Sequence, residues 1–118
     1  MNERLTPLER IRRKSDFACL YRDGGRYRGR YFTLVFLKNG LGYSRLAVVV
    51  SRKVGSAVVR NRVKRRFREL FRRNKELLAE PLDLMVIARP ESGEAAWNGL
   101  RDAYLSSLTT ILRKRISS

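Results

Sequence analysis

Apolar residues recur at three- and four-residue spacing near the start of the chain, which is typical of a short amphipathic helix. The shared face consists of Phe17, Leu20 and Tyr21. Ser15 is the expected N-cap, and the glycines at positions 24 and 25 are expected to end the helix. The pattern therefore predicts a first helix over about residues 16–23.

The stretches that follow are rich in β-branched and aromatic residues and predict strands. Residues 31–37 (YFTLVFL) are apolar on both faces, which indicates burial on two sides, and residues 45–51 (RLAVVVS) form the next strand. Residues 25–28 can add an edge strand, and residues 83–89 (DLMVIAR) form another. We therefore expect a sheet of four strands.

Two longer helices complete the pattern. Ser56 is the expected N-cap of a helix over about residues 57–78, which Pro81 would stop. Its apolar stripe consists of Val59, Val63, Phe67 and Leu70. Ser92 is the expected cap of a last helix over about residues 94–115. Its stripe consists of Trp97, Leu100, Tyr104, Leu108 and Ile111. The order αβββαβα predicts one α+β domain across the chain, with helices packed on a four-stranded sheet.

The charge of the chain favours a polyanionic partner. Lysine and arginine number 27 against 11 aspartates and glutamates, so the 118 residues carry a formal net charge of +16. Neutralised phosphates release condensed counterions, which makes nucleic acid the natural partner, and an anionic membrane surface is the alternative. Residues 1–14 are basic and irregular, and we interpret them as a flexible N-terminal segment.

The chain shows no sign of export or membrane insertion. Its only cysteine, Cys19, allows no internal disulfide and is interpreted as a packing residue. The first residues lack the apolar core of a signal peptide, and no apolar run approaches the roughly 20 residues of a membrane span. We therefore expect a cytoplasmic protein.

One face of the helix over residues 57–78 is cationic. Opposite its apolar stripe lie Asn61, Lys64, Arg65, Arg68 and Arg72. An ordinary solvated face mixes signs to form i,i+4 pairs, whereas these arginines repel one another. We therefore interpret the face as a phosphate-binding surface. Arg52 and Lys53 lie just before the helix start and are expected to extend this phosphate-binding surface. The first amides of the helix add the positive end of the helix dipole at the same place.

The sequence combines these basic residues with aromatic residues that could bind RNA bases, but it shows no recognisable set of catalytic residues. Phe17, Tyr21 and Tyr31 can stack on the bases of single-stranded RNA, with core packing as the alternative. The chain has no histidine, its carboxylates are scattered, and no Cys/His set could hold zinc. We therefore predict a polypeptide that binds RNA, with no catalytic residue and no metal site of its own.

The segment VGSAVVRNRVKRRFRE at residues 54–69 closely resembles the signature of the bacterial ribonuclease P protein family. Asp16-Phe17, the SRK at residues 51–53 and the IARP at residues 87–90 fit the same family, so the resemblance spans about residues 8–115. It implies the same αβββαβα order with a left-handed connection through the long helix, where the general rule would favour a right-handed one.

The resemblance also implies that an RNA subunit carries out catalysis and that the protein subunit binds RNA. A large catalytic RNA with its Mg²⁺ ions would remove the 5′ leader of precursor tRNA, and the protein would bind both RNAs but neither DNA nor membrane. The residues that would face RNA are Arg60, Asn61, Arg62, Lys64, Arg65 and Arg68. A leader cleft between the first helix and the sheet would be lined by Phe17, Tyr21, Tyr31, Thr33 and Val35. Family members often carry an aromatic residue where this chain has Val35.

Other functions fit parts of the pattern. A DNA-binding basic helix of the zipper class needs several more heptads than Pro81 permits. A structural ribosomal protein would share the RNA-binding features but would stimulate no processing reaction. A membrane-surface protein fits least, because the basic helix would bury its apolar face in a globular core.

Overall fold

The structure is a computed structural model that describes residues 5–117. Its helices and strands are α1 (Lys14–Asp23), β1 (Gly25–Arg28), β2 (Phe32–Lys38), β3 (Arg45–Val49), α2 (Ala57–Arg73), β4 (Leu82–Ala88) and α3 (Trp97–Ser117). Short 3₁₀ turns lie at Pro7–Glu9, Arg52–Val54, Lys75–Leu77 and Pro90–Gly93. The predicted αβββαβα order and α+β class are confirmed.

The strands form one sheet in the order β1-β2-β4-β3. β2 pairs antiparallel with β1 and with β4, whereas β3 and β4 are parallel neighbours. Parallel neighbours need a crossover, and α2 supplies it here. This is the connection that the family resemblance predicts to be left-handed.

The main core lies on the sheet face that α2 and α3 cover. In α2 the predicted stripe residues Val63, Phe67 and Leu70 are at most 1 % exposed, and Val59 is partly buried. In α3 the buried stripe consists of Leu100, Tyr104, Leu108 and Ile111. Phe32 of β2 meets Phe67 edge to face, with ring centroids 5.1 Å apart. Both predicted helix stripes are therefore correct.

A second, smaller apolar cluster lies on the opposite face, under α1. It contains Leu20 of α1 with Val35, Ala47 and Met85 from three neighbouring strands. Because both faces of the central strands are covered, the sequences of β2 and β4 are nearly continuous runs of apolar residues and do not alternate between apolar and polar residues. The prediction that the strand at residues 31–37 is buried on two sides is confirmed.

Two of the three predicted helix starts are misplaced. α1 begins at Lys14, so Ser15 lies inside the helix and caps nothing. Ser92 lies in the turn before α3, where its hydroxyl donates to the carbonyl of Arg89 at 2.7 Å. Ser56 is the N-cap of α2 as predicted, and its Oγ accepts from the amide of Val59 at 3.3 Å.

The end of α2 comes earlier than Pro81 suggests. The helix ends at Arg73, because the side-chain amide of Asn74 donates to the carbonyl of Leu70 at 2.8 Å and closes the last turn. A short 3₁₀ turn follows. A polar side chain that hydrogen-bonds a free helix carbonyl can end a helix well before a proline does.

The N-terminal segment packs against the rest of the domain over the part that the structure describes. Leu5 and Ile11 are each 5 % exposed, and the amide of Ile11 donates to the carbonyl of Leu46 in β3 at 3.1 Å. Glu9 forms an ion pair with Lys75 at 2.7 Å. Residues 5–13 of the segment that the sequence predicts to be flexible therefore make defined contacts with the domain, and residues 1–4 lie outside the described residues.

Candidate nucleic-acid interface

The five residues predicted to form the cationic face of α2 all keep some exposure, but they do not share one environment. Asn61 and Arg65 are exposed, and Arg60 and Lys64 are partly exposed beside them. Ahead of the helix, the turn Arg52–Val54 presents the side chains of Arg52 and Lys53 to solvent. These six residues form what we call the basic face.

The glycine between that turn and α2 has a steric reason to be there. Gly55 has φ +152°, a conformation that L side chains rarely adopt, and a Cβ placed on it would lie 2.9 Å from the side chain of Val59. The chain can therefore pass from β3 into α2 within a few residues. This tight connection holds Arg52 and Lys53 next to the start of the helix.

Arg62 and Arg66 anchor α2 to the segment before α3. A guanidinium N–H of Arg62 donates to the carbonyl of Gly93 at 2.8 Å, and one of Arg66 donates to the carbonyl of Ala95 at 2.9 Å. Both carbonyls belong to the connection between β4 and α3. Arg62, predicted to face RNA, therefore also has a structural role, because its loss would leave a part-buried carbonyl without its donor.

The guanidinium of Arg72 forms an ion pair with the carboxylate of Glu69. Glu69 is only 7 % exposed, and its carboxylate forms ion pairs with Arg72, at 2.9 Å, and with Arg73. The repulsion expected among Arg65, Arg68 and Arg72 is therefore relieved at this end of the helix. This placement differs from the prediction of an unpaired row of cations.

Arg68 points to a different part of the molecule from Arg65. It lines a cavity with the N-terminal segment, Phe17 of α1 and residues of β3. Arg65 instead lines a groove toward α3 whose walls also include Arg66 and Trp97. The single cationic face expected from the helical wheel is thus divided between two sides of α2.

In the leader cleft that the family resemblance predicts, the first helix, which packs on this face of the sheet, would form one wall. Phe17 is partly buried, whereas Tyr21 is 51 % exposed and has the guanidinium of Arg26 at 5.9 Å from its ring centroid. Tyr21 is therefore available to a ligand, and Phe17 presents part of its ring. Both stand on the helix face that sequence reasoning assigned to the leader.

Val35 does not line the open part of this cleft. It is fully buried under α1, and a Cβ placed on Gly24 at the end of that helix would lie 2.6 Å from its side chain. In this structure Val35 therefore presents no exposed surface for the predicted leader contact. The close approach of backbone and side chain also explains why a glycine follows α1.

Tyr31 lies on the wrong side of the sheet for the cleft. β2 begins at Phe32, and the residue before it packs with the main core on the side of α2 and α3. A Cβ placed on Gly99 of α3 would lie 3.5 Å from the hydroxyl oxygen of Tyr31. The structure therefore does not bring Tyr31 together with Phe17 and Tyr21, because this residue precedes the strand and does not follow its alternation.

One row of side chains across the sheet remains uncovered by α1. The strand register places Arg28, Thr33, Ile87 and Val49 side by side, one on each strand. All four are exposed or partly exposed, unlike the next row with Val35 and Met85. Of these, sequence reasoning named only Thr33. The others could not be found without the strand order, since they are neighbours only through pairing.

Comparison with known proteins decides the family. The sequence matches the family model for ribonuclease P over residues 5–112. It is 45 % identical over 94 residues to the ribonuclease P protein component of Thermotoga maritima, which covers 80 % of each chain. It is 42 % identical over 108 residues to that of Desulfovibrio desulfuricans, covering 89 % of this chain and 81 % of the other. The chain belongs to the ribonuclease P protein family.

Solved structures agree with this membership. The ribonuclease P protein of Staphylococcus aureus superposes with a TM-score of 0.78 at 30 % identity, covering 88 % of this chain and 94 % of the other. That of Thermotoga maritima gives a TM-score of 0.77 at 38 % identity, covering 85 % and 94 %. As a ribonuclease P protein the chain works with RNA and is associated with an endoribonuclease ribonucleoprotein.

In the described part of the chain, no three Asp, Glu, Cys or His side chains are grouped so that they could hold a metal ion. No helix within the same residues is both long enough and apolar enough to cross a membrane.

Proposed function

We propose that this chain is the protein subunit of ribonuclease P, which assists removal of the 5′ leader from precursor tRNA. The family membership carries the proposal, and the distribution of charge and aromatic groups supports it. The basic face and the cleft under α1 are separate surfaces. One chain can therefore contact the catalytic RNA and the precursor tRNA at the same time.

The basic face suits the catalytic RNA. Its cationic side chains stand on a rigid helix and on the turn before it, where backbone amides add the positive end of the helix dipole. A surface of this kind positions a phosphate backbone without reading its sequence. We assign Arg52, Lys53, Arg60, Asn61, Lys64 and Arg65 to this contact, with Arg62 supporting the helix from the side of α3.

The cleft under α1 suits the single-stranded leader. Tyr21 and Phe17 offer ring faces for base stacking, which tolerates any base. The uncovered row adds one cation, Arg28, and the polar and apolar contacts of Thr33 and Ile87. An extended strand could follow this row across the sheet, and its binding would depend on stacking and charge more than on sequence.

Hydrolysis belongs to the RNA subunit and its Mg²⁺ ions in this proposal. The protein has no histidine to act as a general base, and its carboxylates pair with cations, as Asp83 does with Arg45 and Glu69 with Arg72. The contribution of the protein is to hold substrate and catalytic RNA together. Such binding matters most when Mg²⁺ is scarce, because the protein then replaces part of the counterion screening.

The test is reconstitution with a bacterial ribonuclease P RNA. The protein is expected to stimulate 5′ cleavage of precursor tRNA at low Mg²⁺, and RNA-free protein is expected to cleave nothing. RNA binding without any stimulation of cleavage would favour a structural RNA-binding protein instead. Cleavage by the protein alone, abolished by a point substitution in it, would overturn the assignment of catalysis to RNA.

A further inference from the structure

A groove lies between α2 and the start of α3. It is lined by five residues of α2 and by the first residue of α3, namely Arg62, Arg65, Arg66, Glu69, Arg73 and Trp97. Its volume is about 340 Å³. Small-molecule sites usually span about 300–1,000 Å³, so this groove has room for a ligand of the size of one nucleotide.

Trp97 gives the groove a flat aromatic wall. Its ring is partly buried against the main core, and its remaining surface lines the groove. The backbone that enters α3 is held in place, because Arg66 donates to the carbonyl of Ala95 at 2.9 Å, two residues before Trp97. Bases of single-stranded nucleic acid stack on aromatic side chains of this kind. The wall therefore suits a flat ring.

Two polar atoms of the lining have unused hydrogen-bonding capacity. Glu69 is 7 % exposed, and its Oε1 forms the ion pairs with Arg72 and Arg73. Its Oε2 is buried and has no hydrogen-bond partner among the described residues, and the same holds for Nε of Arg62. Buried polar atoms without partners are rare in native structures, and a bound group that supplies the partner is one ordinary explanation. The groove thus offers one acceptor and one donor to a ligand.

A ligand can reach these atoms when the outer side chains move. Arg65 is exposed, and the side chain of Arg73 is 56 % exposed. Exposed side chains change rotamer within picoseconds to nanoseconds, so neither arginine closes the groove permanently. Both guanidinium groups also suit a phosphate attached to the ligand, because they can bind two of its oxygens together.

We propose that this groove binds one unpaired nucleobase that carries an exocyclic amino group. The base stacks on Trp97, and its amino group donates to Oε2 of Glu69. Adenine and cytosine carry such an amino group with an acceptor nitrogen beside it, which Nε of Arg62 can reach. Uracil lacks the amino group, and its ring N–H lies between two carbonyl oxygens that would repel the carboxylate. The RNA origin of the base rests on the proposed function, whereas the base site does not.

The first test uses the fluorescence of Trp97, the one tryptophan of the chain. Trinucleotides of adenosine, cytidine and uridine carry equal charge, so binding to basic residues elsewhere affects all three alike. The adenosine and cytidine forms are expected to quench the fluorescence, with uridine binding roughly tenfold or more weakly. Cytidine and uridine are the decisive pair, because both are pyrimidines of similar size. Equal quenching by these two would refute the role of the amino group, and no quenching by any of them would refute the site.

Glu69→Gln tests the acceptor directly. The new side-chain amide can donate to the carbonyl oxygens of uracil, so the preference for cytidine over uridine should largely disappear. A purely structural role of Glu69 would lower the melting temperature and leave that preference intact. Glu91→Gln, which replaces an exposed acid outside the groove, is the matched control and should keep the preference. An undiminished preference in Glu69→Gln would show that another group receives the amino group.

Trp97 variants give a second route if Glu69→Gln does not fold. The cytidine trinucleotide is expected to shift the NMR signals of the Asn98 and Gly99 amides in the wild type. Trp97→Leu should abolish these shifts because it removes the ring, and Trp97→Phe should keep them because it retains one. Shifts that survive in Trp97→Leu would contradict stacking on this residue.

Titrations of the holoenzyme identify the strand that supplies the base. We expect the catalytic RNA, because Arg65 belongs to both the groove and the basic face. Trp97→Leu should then weaken assembly with that RNA roughly tenfold or more, with Trp97→Phe as the control. A loss confined to precursor tRNA would move the base to the substrate, and unchanged affinity for every RNA would overturn the RNA assignment. Failure to stimulate cleavage would count against the proposed function but leave the trinucleotide result standing.

Discussion

Arg45 of β3 donates two hydrogen bonds to the carboxylate of Asp83 in β4, from Nε at 2.8 Å and from Nη2 at 2.6 Å. Its third contact is an ion pair with Asp16 in the first turn of α1, at 3.3 Å. Hydrogen bonding to Asp83, the largest cause, raises the pKa of Arg45 above its ordinary value despite partial burial. One arginine thus joins two strands and the helix that we propose as a wall of the leader cleft.

Replacing Arg45 should destabilise the domain. Asp83 is 5 % exposed, so Arg45→Met would leave a buried carboxylate whose remaining partner among the described residues is the side-chain amide of Asn39, at 2.9 Å. Breaking a buried pair costs about 3–5 kcal/mol, and we expect about 2–4 kcal/mol because Arg45 keeps some exposure. Urea denaturation measures the loss. The double variant Arg45→Met/Asp83→Leu should regain much of it, and no recovery would contradict the pairing argument.

Asp16→Asn tests the link to α1 separately. It weakens only the contact between the helix and Arg45, so the free energy of unfolding should change by less than about 1 kcal/mol. Precursor tRNA should nevertheless bind more weakly to the holoenzyme, because the helix that carries Phe17 and Tyr21 is less firmly oriented. Mature tRNA is the control ligand. Equal affinity of the variant and the wild type for precursor tRNA would show that this ion pair does not shape the cleft.

Substitutions of Tyr21 and Val35 should have opposite effects, although the sequence predicts that both residues line the leader cleft. Tyr21 is 51 % exposed, so Tyr21→Ala should spare the melting temperature and cost roughly 1–3 kcal/mol in binding precursor tRNA. Val35 is fully buried, so Val35→Ala should cost roughly 1–3 kcal/mol of folding stability. Melting curves and tRNA titrations of both variants distinguish the roles. A large loss of stability in Tyr21→Ala would make that residue part of the core.

The spacing of apolar and polar residues along the chain was sufficient to predict the order of the helices and strands. Phe67 and Tyr104 lie in the core because the three- and four-residue spacing of apolar residues sets which side of a helix is buried. The caps were less predictable. Ser15 and Ser92 are good N-cap residues by type, yet the helices begin elsewhere, because a cap also needs the chain to enter the helix at that residue.

The arrangement of the site depends on contacts that sequence pattern does not contain. Arg65 and Arg68 look equivalent on a helical wheel, and only the docked N-terminal segment places Arg68 beside Arg10. Ile87 becomes a neighbour of Thr33 through strand register alone. The family resemblance supplied the cleft and the basic helix but could not reveal that Tyr31 packs against α3 in this chain.

Docking of the N-terminal segment should weaken in acid. Burial, the largest single influence, raises the pKa of Glu9, but the hydrogen bonds and charge of Lys75 and the hydrogen bonds of Thr6 together outweigh it. The pKa of Glu9 therefore lies below its ordinary value of 4.5. The charged carboxylate is therefore the form that the fold stabilises. This contribution is present above pH 4.5 and is lost as the pH falls through the lowered folded-state value. Hydrogen exchange of the Ile11 amide should show protection that declines over that range.

Two variants separate the Glu9 effect from general acid unfolding. Glu9→Gln should reduce the protection of Ile11 at neutral pH and remove most of its dependence on pH in the acid range. Glu94→Gln, which replaces an exposed acid in the connection between β4 and α3, should leave both unchanged. If the acid decline persists undiminished in Glu9→Gln, another carboxylate controls the docking of this segment.

Arg62 and Arg65 allow the sharpest separation of structural and RNA-binding roles on α2. Arg65 is exposed, so Arg65→Ala should leave the melting temperature unchanged and flatten the slope of log K against log salt by roughly 0.7–0.9 if one phosphate contact is lost. Arg62→Ala removes the donor to the carbonyl of Gly93, so it should cost roughly 1–3 kcal/mol of stability as well as RNA affinity. Melting curves and salt titrations with the catalytic RNA measure both. If Arg62→Ala is as stable as the wild type, its bond to Gly93 does not hold the segment before α3, and its place in the family motif reflects RNA contact alone.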